Sequence, residues 1–218
     1  RDFPDVLSDE YKENAKNNAK ALAARKDDPM MIGYFLRNEP SWAFVDNLVL
    51  ADEVLYNPEK TVCKEKLIAF LKEKYQTVDR LNDAWKLSLS TFEDLYQPIR
   101  DASKRSEAAK ADQKEFSKKL LRAYVEIPAK ACREVDPNHM ILGMRWAGIS
   151  DPDLATGWEN FDVFSINCYA VDPTEAISHV VELGVDLPVM IGEFHFGALD
   201  TGLSATGLEG VLTQKDRG

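Results

Sequence analysis

The chain has 218 residues, 44% hydrophobic and 29% charged, a globular balance that excludes collagen-like, mucin-like and wholly disordered chains and suits one sizeable core rather than two ordinary domains. Lysine and arginine total 27 against 37 acids, a net charge of −10; this repels phosphate backbones and anionic lipid, so neither a nucleic acid nor a membrane is expected as partner, and neutral ligands such as sugars carry no penalty. No run of about 18 apolar residues predicts a membrane-spanning helix, and the three cysteines, far apart and without a CxxC spacing, offer neither a disulfide framework nor a zinc knuckle.

Residues 8–26 read as a helix, with Ser8 as N-cap, Asp9 and Glu10 at the positive end of the dipole, and Ala15, Ala19, Leu22 and Ala23 on one face. Residues 30–36 then form a continuous apolar run of strand length, the pattern of a strand covered on both faces. From Phe44 to about Pro137 the pattern is mostly helical. Val62, Leu67, Phe70 and Leu71 make one stripe, Thr77 caps a short helix holding Leu81, Ala84 and Trp85, and residues 112–135 form a long helix with a kink expected at Pro128. The charge- and alanine-rich stretch 101–119 reads as a solvated helix face or loop. Three further strands are predicted at 140–146, 161–169 and 187–194, with a helix over 174–183 ended by Gly184. Apolar strands alternating with helices predict an α/β protein with parallel pairing.

Each strand is apolar along its length and polar at its carboxyl end. The first delivers Asn38 and Glu39, the second Arg145 and Trp146, the third Asn167 and Tyr169, the fourth Glu193 and His195. In parallel α/β architectures that edge gathers the ligand-binding loops. Two carboxylates converging there can divide the labour of acetal cleavage, one donating a proton to the leaving oxygen while the other attacks or activates water. Asn38 is placed to hold a sugar hydroxyl beside the reacting carbon, and Tyr169 either orients the second carboxylate or is a plain core aromatic. Trp42 and Trp146 are candidate sugar platforms; Trp85 and Trp158 read as packing residues. Arg145 stands between binding substrate and steadying a carboxylate. His195, two residues beyond Glu193, points to the same side of an extended strand and lines the sugar site or packs there. Duller roles compete: Glu39 as a helix-starting acid, Glu193 as half of a structural ion pair with Arg145.

Asn38-Glu39-Pro40 after one apolar strand and Gly192-Glu193-Phe194 after another, with two strand candidates between them, resemble the clan A retaining glycoside hydrolases. Residues 34–42, 72–85, 143–148 and 192–197 are similar to agar-degrading and β-galactosidase-type members, and the last looks most like the exo-β-agarases of family 50. The resemblance implies a (β/α)8 barrel in which Glu39 follows strand four as acid/base, Asn167 and Tyr169 end strand six, and Glu193 ends strand seven as nucleophile. It implies a retaining hydrolase of β-linked galactose-containing poly- or oligosaccharides that needs no cofactor and no metal, and a polysaccharide substrate suggests an extracellular or periplasmic site of action. Only a partial barrel is expected: residues 1–218 as a single catalytic domain of about four parallel strands with helices, 43–137 being a helical insertion between the first two. The remaining strands would come from a longer parent or a partner chain. Two other readings stay open. One is a metal-dependent sugar isomerase or lyase with Glu39, Glu193 and His195 as ligands; the other is a sugar-binding remnant without catalysis.

Overall fold

Capping residues decide where the helices begin. In a computed structural model that describes residues 3–202 and 204–217, Ser8, Thr61, Thr77 and Ser106 each accept a backbone N–H from three residues ahead, the arrangement that satisfies an otherwise orphaned donor and is worth about 1 kcal/mol per cap. They open α1 (Asp9–Ala19), α3 (Val62–Tyr75), α4 (Val78–Trp85) and α5 (Glu107–Val135), with α2 (Leu50–Tyr56) preceding α3. The Asp5 carboxylate adds to the start of α3 by accepting from the N–H groups of Val62 and Cys63 at 2.8 and 2.7 Å. The chain divides into two compact units, and these helices belong to the first, made of Arg1–Asp27 and Val45–Pro137.

Two stretches of this unit bear on what the sequence led us to expect. Helix α5 runs on through Pro128. Proline has no N–H to offer the Tyr124 carbonyl one turn back, and the Tyr11 hydroxyl donates to that oxygen instead, at 2.9 Å. The stretch 101–119 is solvated on one face, where Lys110, Lys114, Lys118 and Lys119 are exposed, but its other face is not: Ala109, Asp112, Gln113 and Phe116 are buried. Asp112 accepts from Lys74 Nζ at 2.6 Å, from Trp85 Nε1 at 2.8 Å and from the Tyr75 hydroxyl, while Gln113 donates to Asp52 at 3.0 Å. Polar side chains can be buried when each finds a partner, and such partners lie far away in the sequence. Burial and the Asp112 hydrogen bond together push the Tyr75 hydroxyl up to about 12.

The second unit, Asp28–Phe44 with Asn138–Gly218, contains the strands. β1 (Gly33–Tyr34) pairs parallel with β2 (Met140–Ile141), and β3 (Phe164–Asn167) pairs parallel with β4 (Val189–Glu193). A parallel bridge between Trp146 and Ile166 joins the two pairs, with Trp146 N–H to Ser165 O at 3.1 Å and Asn167 N–H to Trp146 O at 2.8 Å. The four segments therefore hydrogen-bond side by side in chain order. All four expected strands exist and are parallel, but the regular ladders are shorter than the apolar runs. The β2 run leaves the extended region at Gly143 (φ 87°) and Arg145 (φ 45°), and β3 carries a register shift between Ile166 and Asn167, so the ladders break where the backbone turns. Gly143 is needed there: a Cβ would sit 3.1 Å from Ser165 Oγ and from Val163 O, on a backbone that disfavours side chains.

Helix α6 (Thr174–Glu182) links β3 to β4. It buries Val180, but Val181 is exposed, so the expected apolar face is narrower than its sequence. A further parallel pair, β5 (Gly197–Ala198) with β6 (Gly210–Val211), follows β4. Its strands are two residues long, too short to give an apolar run. Strand β3 is buried at every position while β1 and β4 are half-buried. The architecture is a helix-rich α/β fold with short parallel strands, and no closed barrel forms among the described residues.

Candidate active site

Strand endings bring the polar residues to one corner of the second unit. Glu39 lies five residues past β1 with its backbone in the left-handed region (φ 46°), and its N–H faces the carbonyls of Met144 and Arg145 at 3.3 Å. That link ties the end of the first strand to the end of the second. A non-glycine residue in this conformation costs about 1–3 kcal/mol and persists only where neighbours enforce it. Arg145, the next residue at the edge, shares the same strained conformation at φ 45°.

The carboxylates are held by different partners on one strand. Asn167 Nδ2 donates to Glu39 Oε1 at 2.7 Å, and the Tyr169 hydroxyl donates to Glu193 Oε1. The two donors sit two positions apart at the end of β3. On the other side of Glu193, Arg145 Nη1 lies 3.4 Å from Oε2, in a pair about one third exposed. The backbone closes the set, with Cys168 N–H donating to Glu193 O at 3.0 Å.

Tyr169 senses both carboxylates. Its hydroxyl is pushed up to about 12, first by the hydrogen bond to Glu193, then by desolvation and by the charges of Glu193 and Glu39, with Arg145 opposing. Because the folded value lies above the ordinary 10, the neutral phenol is favoured in the folded state. Its contribution to stability is fully present below pH 10 and is lost as pH rises through 10 toward 12. An ultraviolet difference titration of the protein against its Tyr169→Phe variant is expected to show one tyrosine ionising near pH 12. Ionisation of that residue near pH 10 would show that the hydroxyl does not donate to Glu193.

Other sequence-predicted residues are placed differently. Asn38 is exposed at the same turn as Glu39. Trp42 and Trp146 do not present open faces: they are 6% and 2% exposed and pack edge-to-face with ring centroids 5.8 Å apart. Trp146 Nε1 and Asn167 Oδ1 are buried without a hydrogen-bond partner among the described residues. The exposed His195 ring lies over Gly207, where a Cβ would fall 2.1 Å from its Cδ2. Trp85 is fully buried, as expected of a packing residue. Sequence reasoning missed Ser165, fully buried, whose Oγ accepts the Arg145 N–H at 2.9 Å. Its signal is a lone serine inside the apolar run Phe164-Ser165-Ile166.

Glu193 could hold a metal only in competition with the Arg145 guanidinium, and no group of three or more His, Cys, Asp or Glu side chains among the described residues is arranged around a common point.

Residues 4–196 match the glycoside hydrolase family 42 profile, described as beta-galactosidase. Beta-agarase B of Vibrio sp. (strain JT0107) is 30% identical over 230 residues, covering 99% of this chain and 24% of that protein. Beta-agarase A of the same strain is 28% identical over 236 residues, covering 97% of this chain and 23% of that protein. The chain thus spans about a quarter of the length of these curated relatives. Among solved structures, an exo-beta-agarase superposes with a TM-score of 0.83 at 28% identity over 98% of this chain and 30% of that one. A beta-galactosidase from the Antarctic haloarchaeon Halorubrum lacusprofundi superposes with a TM-score of 0.50 at 21% identity over 75% of this chain and 24% of that one, a likeness of fold.

Proposed function

For a chain that belongs to the glycoside hydrolase family 42 described as beta-galactosidase, we propose retaining hydrolysis of β-linked galactose-containing poly- or oligosaccharides, with Glu39 as acid/base and Glu193 as nucleophile. The observation that carries this reading is the pairing of both carboxylates with neighbouring side chains of a single strand end, Asn167 for Glu39 and Tyr169 for Glu193. A double displacement needs carboxyl groups roughly 5 Å apart, a spacing that leaves no room for a water between nucleophile and sugar.

In the first step Glu39 gives its proton to the glycosidic oxygen as the C1–O bond breaks, and a Glu193 oxygen bonds to C1. In the second step Glu39 takes a proton from water, whose oxygen attacks C1 and displaces the Glu193 carboxylate. Tyr169 and Arg145 stabilise that carboxylate both before it attacks and as it leaves. Asn38, exposed at the turn, and Asn167, beside Glu39, are the candidates for binding sugar hydroxyls. Trp42 backs Trp146 from behind, and His195 would border the site from the β4 side.

We read the four parallel segments as consecutive strands of a (β/α)8 barrel within one catalytic domain, with 43–137 as a helical insertion after the first. The half-buried outer strands and the exposed Met30 and Ile32 support this, since strand edges and apolar residues of this kind are covered in closed barrels. The remaining strands would come from a longer parent or a partner chain. The metal-dependent alternative is disfavoured by the guanidinium beside Glu193, which already supplies the positive charge that a cation would bring.

The family description points to a β-galactosyl unit, and the names of the two curated relatives to agar as the polymer. A substrate panel on the full-length protein tests the reading: agaro-oligosaccharides and aryl β-galactosides are expected to be cleaved at least about tenfold better in kcat/KM than aryl β-glucosides and β-mannosides. Equal or better turnover of the glucosides or mannosides would contradict the galactose assignment.

A further inference from the structure

Gly192, immediately before Glu193 on β4, stands where no side chain fits. A Cβ there would lie 2.9 Å from both Cγ and Cδ of Arg145 and 3.3 Å from Phe35 Cε1. The Arg145 stem passes through that gap, its guanidinium carbon 5.0 Å from the centroid of the Phe35 ring and its Nη1 3.4 Å from Glu193 Oε2. Nothing else on the side chain anchors it by hydrogen bonding at Nε, which is buried without a partner. The backbone at Arg145 is in the left-handed region and its N–H is held by the buried Ser165 hydroxyl. The direction of the arginine is thus set by a strained backbone behind it, an aromatic face on one side and a missing side chain on the other.

We propose that Gly192 is a positioning residue that acts through Arg145: the empty place at 192, walled by Phe35, is the slot that delivers the guanidinium to the Glu193 carboxylate. The inference rests on Glu193 being the nucleophile. It assigns Arg145 to the carboxylate rather than to substrate, and it gives Gly192 and Phe35 roles through shape alone. Filling the slot by one methyl would turn the guanidinium away from Glu193 and leave that carboxylate poorly oriented for attack; misplacement by about 1 Å costs on the order of 100-fold in rate. Sugar-hydroxyl contacts made elsewhere would be untouched, so KM would move little.

The test is a double-mutant cycle in the full-length protein, read by covalent labelling with a 2-deoxy-2-fluoro-β-galactosyl fluoride. In that reaction the C1–F bond breaks, fluoride leaves, and the Glu193 oxygen bonds to C1; the label is located by peptide mass spectrometry. Gly192→Ala and Arg145→Gln are each expected to slow labelling about 100-fold, with KM for an aryl β-galactoside within about threefold of wild type. The double variant is expected to be no slower than the slower single, because both changes remove the same contact. A double variant slowed by the product of the two single effects, on the order of 10⁴-fold, would overturn the proposal, since Gly192 would then act independently of Arg145. If Gly192→Ala does not fold, Phe35→Leu replaces it in the same cycle, with slowing expected in the single and none added in the double; an unslowed Phe35→Leu overturns the slot. A wild-type protein labelled at a residue other than Glu193 would remove the nucleophile assignment itself, an outcome distinct from additivity.

Discussion

Replacing Glu193 by glutamine is expected to lower kcat by roughly 10⁴-fold or more while the affinity for galactosides stays within about threefold. The amide keeps the shape of the side chain and still accepts the Tyr169 hydroxyl, so the sugar-binding surface persists. What is lost is the negative oxygen that bonds to C1. The Arg145 ion pair also goes, but both partners are about one third exposed, and solvent-screened pairs of this kind contribute about 1 kcal/mol or less. Thermal unfolding of the variant should therefore lie close to that of the wild type, which separates a chemical defect from a folding one. Calorimetry with a galactoside and steady-state rates on an aryl β-galactoside measure the two halves of this expectation. A variant retaining a tenth or more of wild-type kcat would remove Glu193 from the chemistry.

Glu39→Gln is expected to show a different signature. Its loss falls on protonation of the leaving oxygen, worth roughly 10²–10⁴-fold when the leaving group is basic. A dinitrophenyl galactoside, whose leaving group needs no proton, should form the glycosyl-enzyme at a rate within about tenfold of wild type. An unactivated oligosaccharide should lose the full factor. With the activated substrate the second step then becomes limiting, because no base activates water, and a pre-steady-state burst of dinitrophenol is expected. Equal losses on both substrates, without a burst, would mean that Glu39 is not the proton donor.

The sequence made the strand ends legible because chemistry and period coincide there. Glu39 and Glu193 each follow an apolar run, and residues of that character at that position have no packing use. Asn167 and Tyr169 were found for the same reason, and the structure bonds each to a carboxylate. Trp42 and Trp146 were not legible: an aromatic after a strand reads the same whether it faces a ligand or its neighbour, and these two are buried against each other. The helix caps at Ser8, Thr61, Thr77 and Ser106 are local, set within four residues, and two of them, Ser8 and Thr77, were predictable. The burial of Asp112 was not, because its partners Lys74 and Trp85 lie 38 and 27 residues away. The β5–β6 pair escaped because a two-residue strand carries no period. Gly192 and Ser165 act on Arg145 through space and backbone geometry, which composition cannot report.

The configuration of the first-formed sugar decides most directly whether Glu39 and Glu193 work as a retaining pair. Proton NMR of the full-length protein hydrolysing an aryl β-galactoside should show the β-anomer appearing first, with the α-anomer growing in only at the rate of mutarotation. Initial release of the α-anomer would mean a single displacement by water, and Glu193 could not then be the nucleophile.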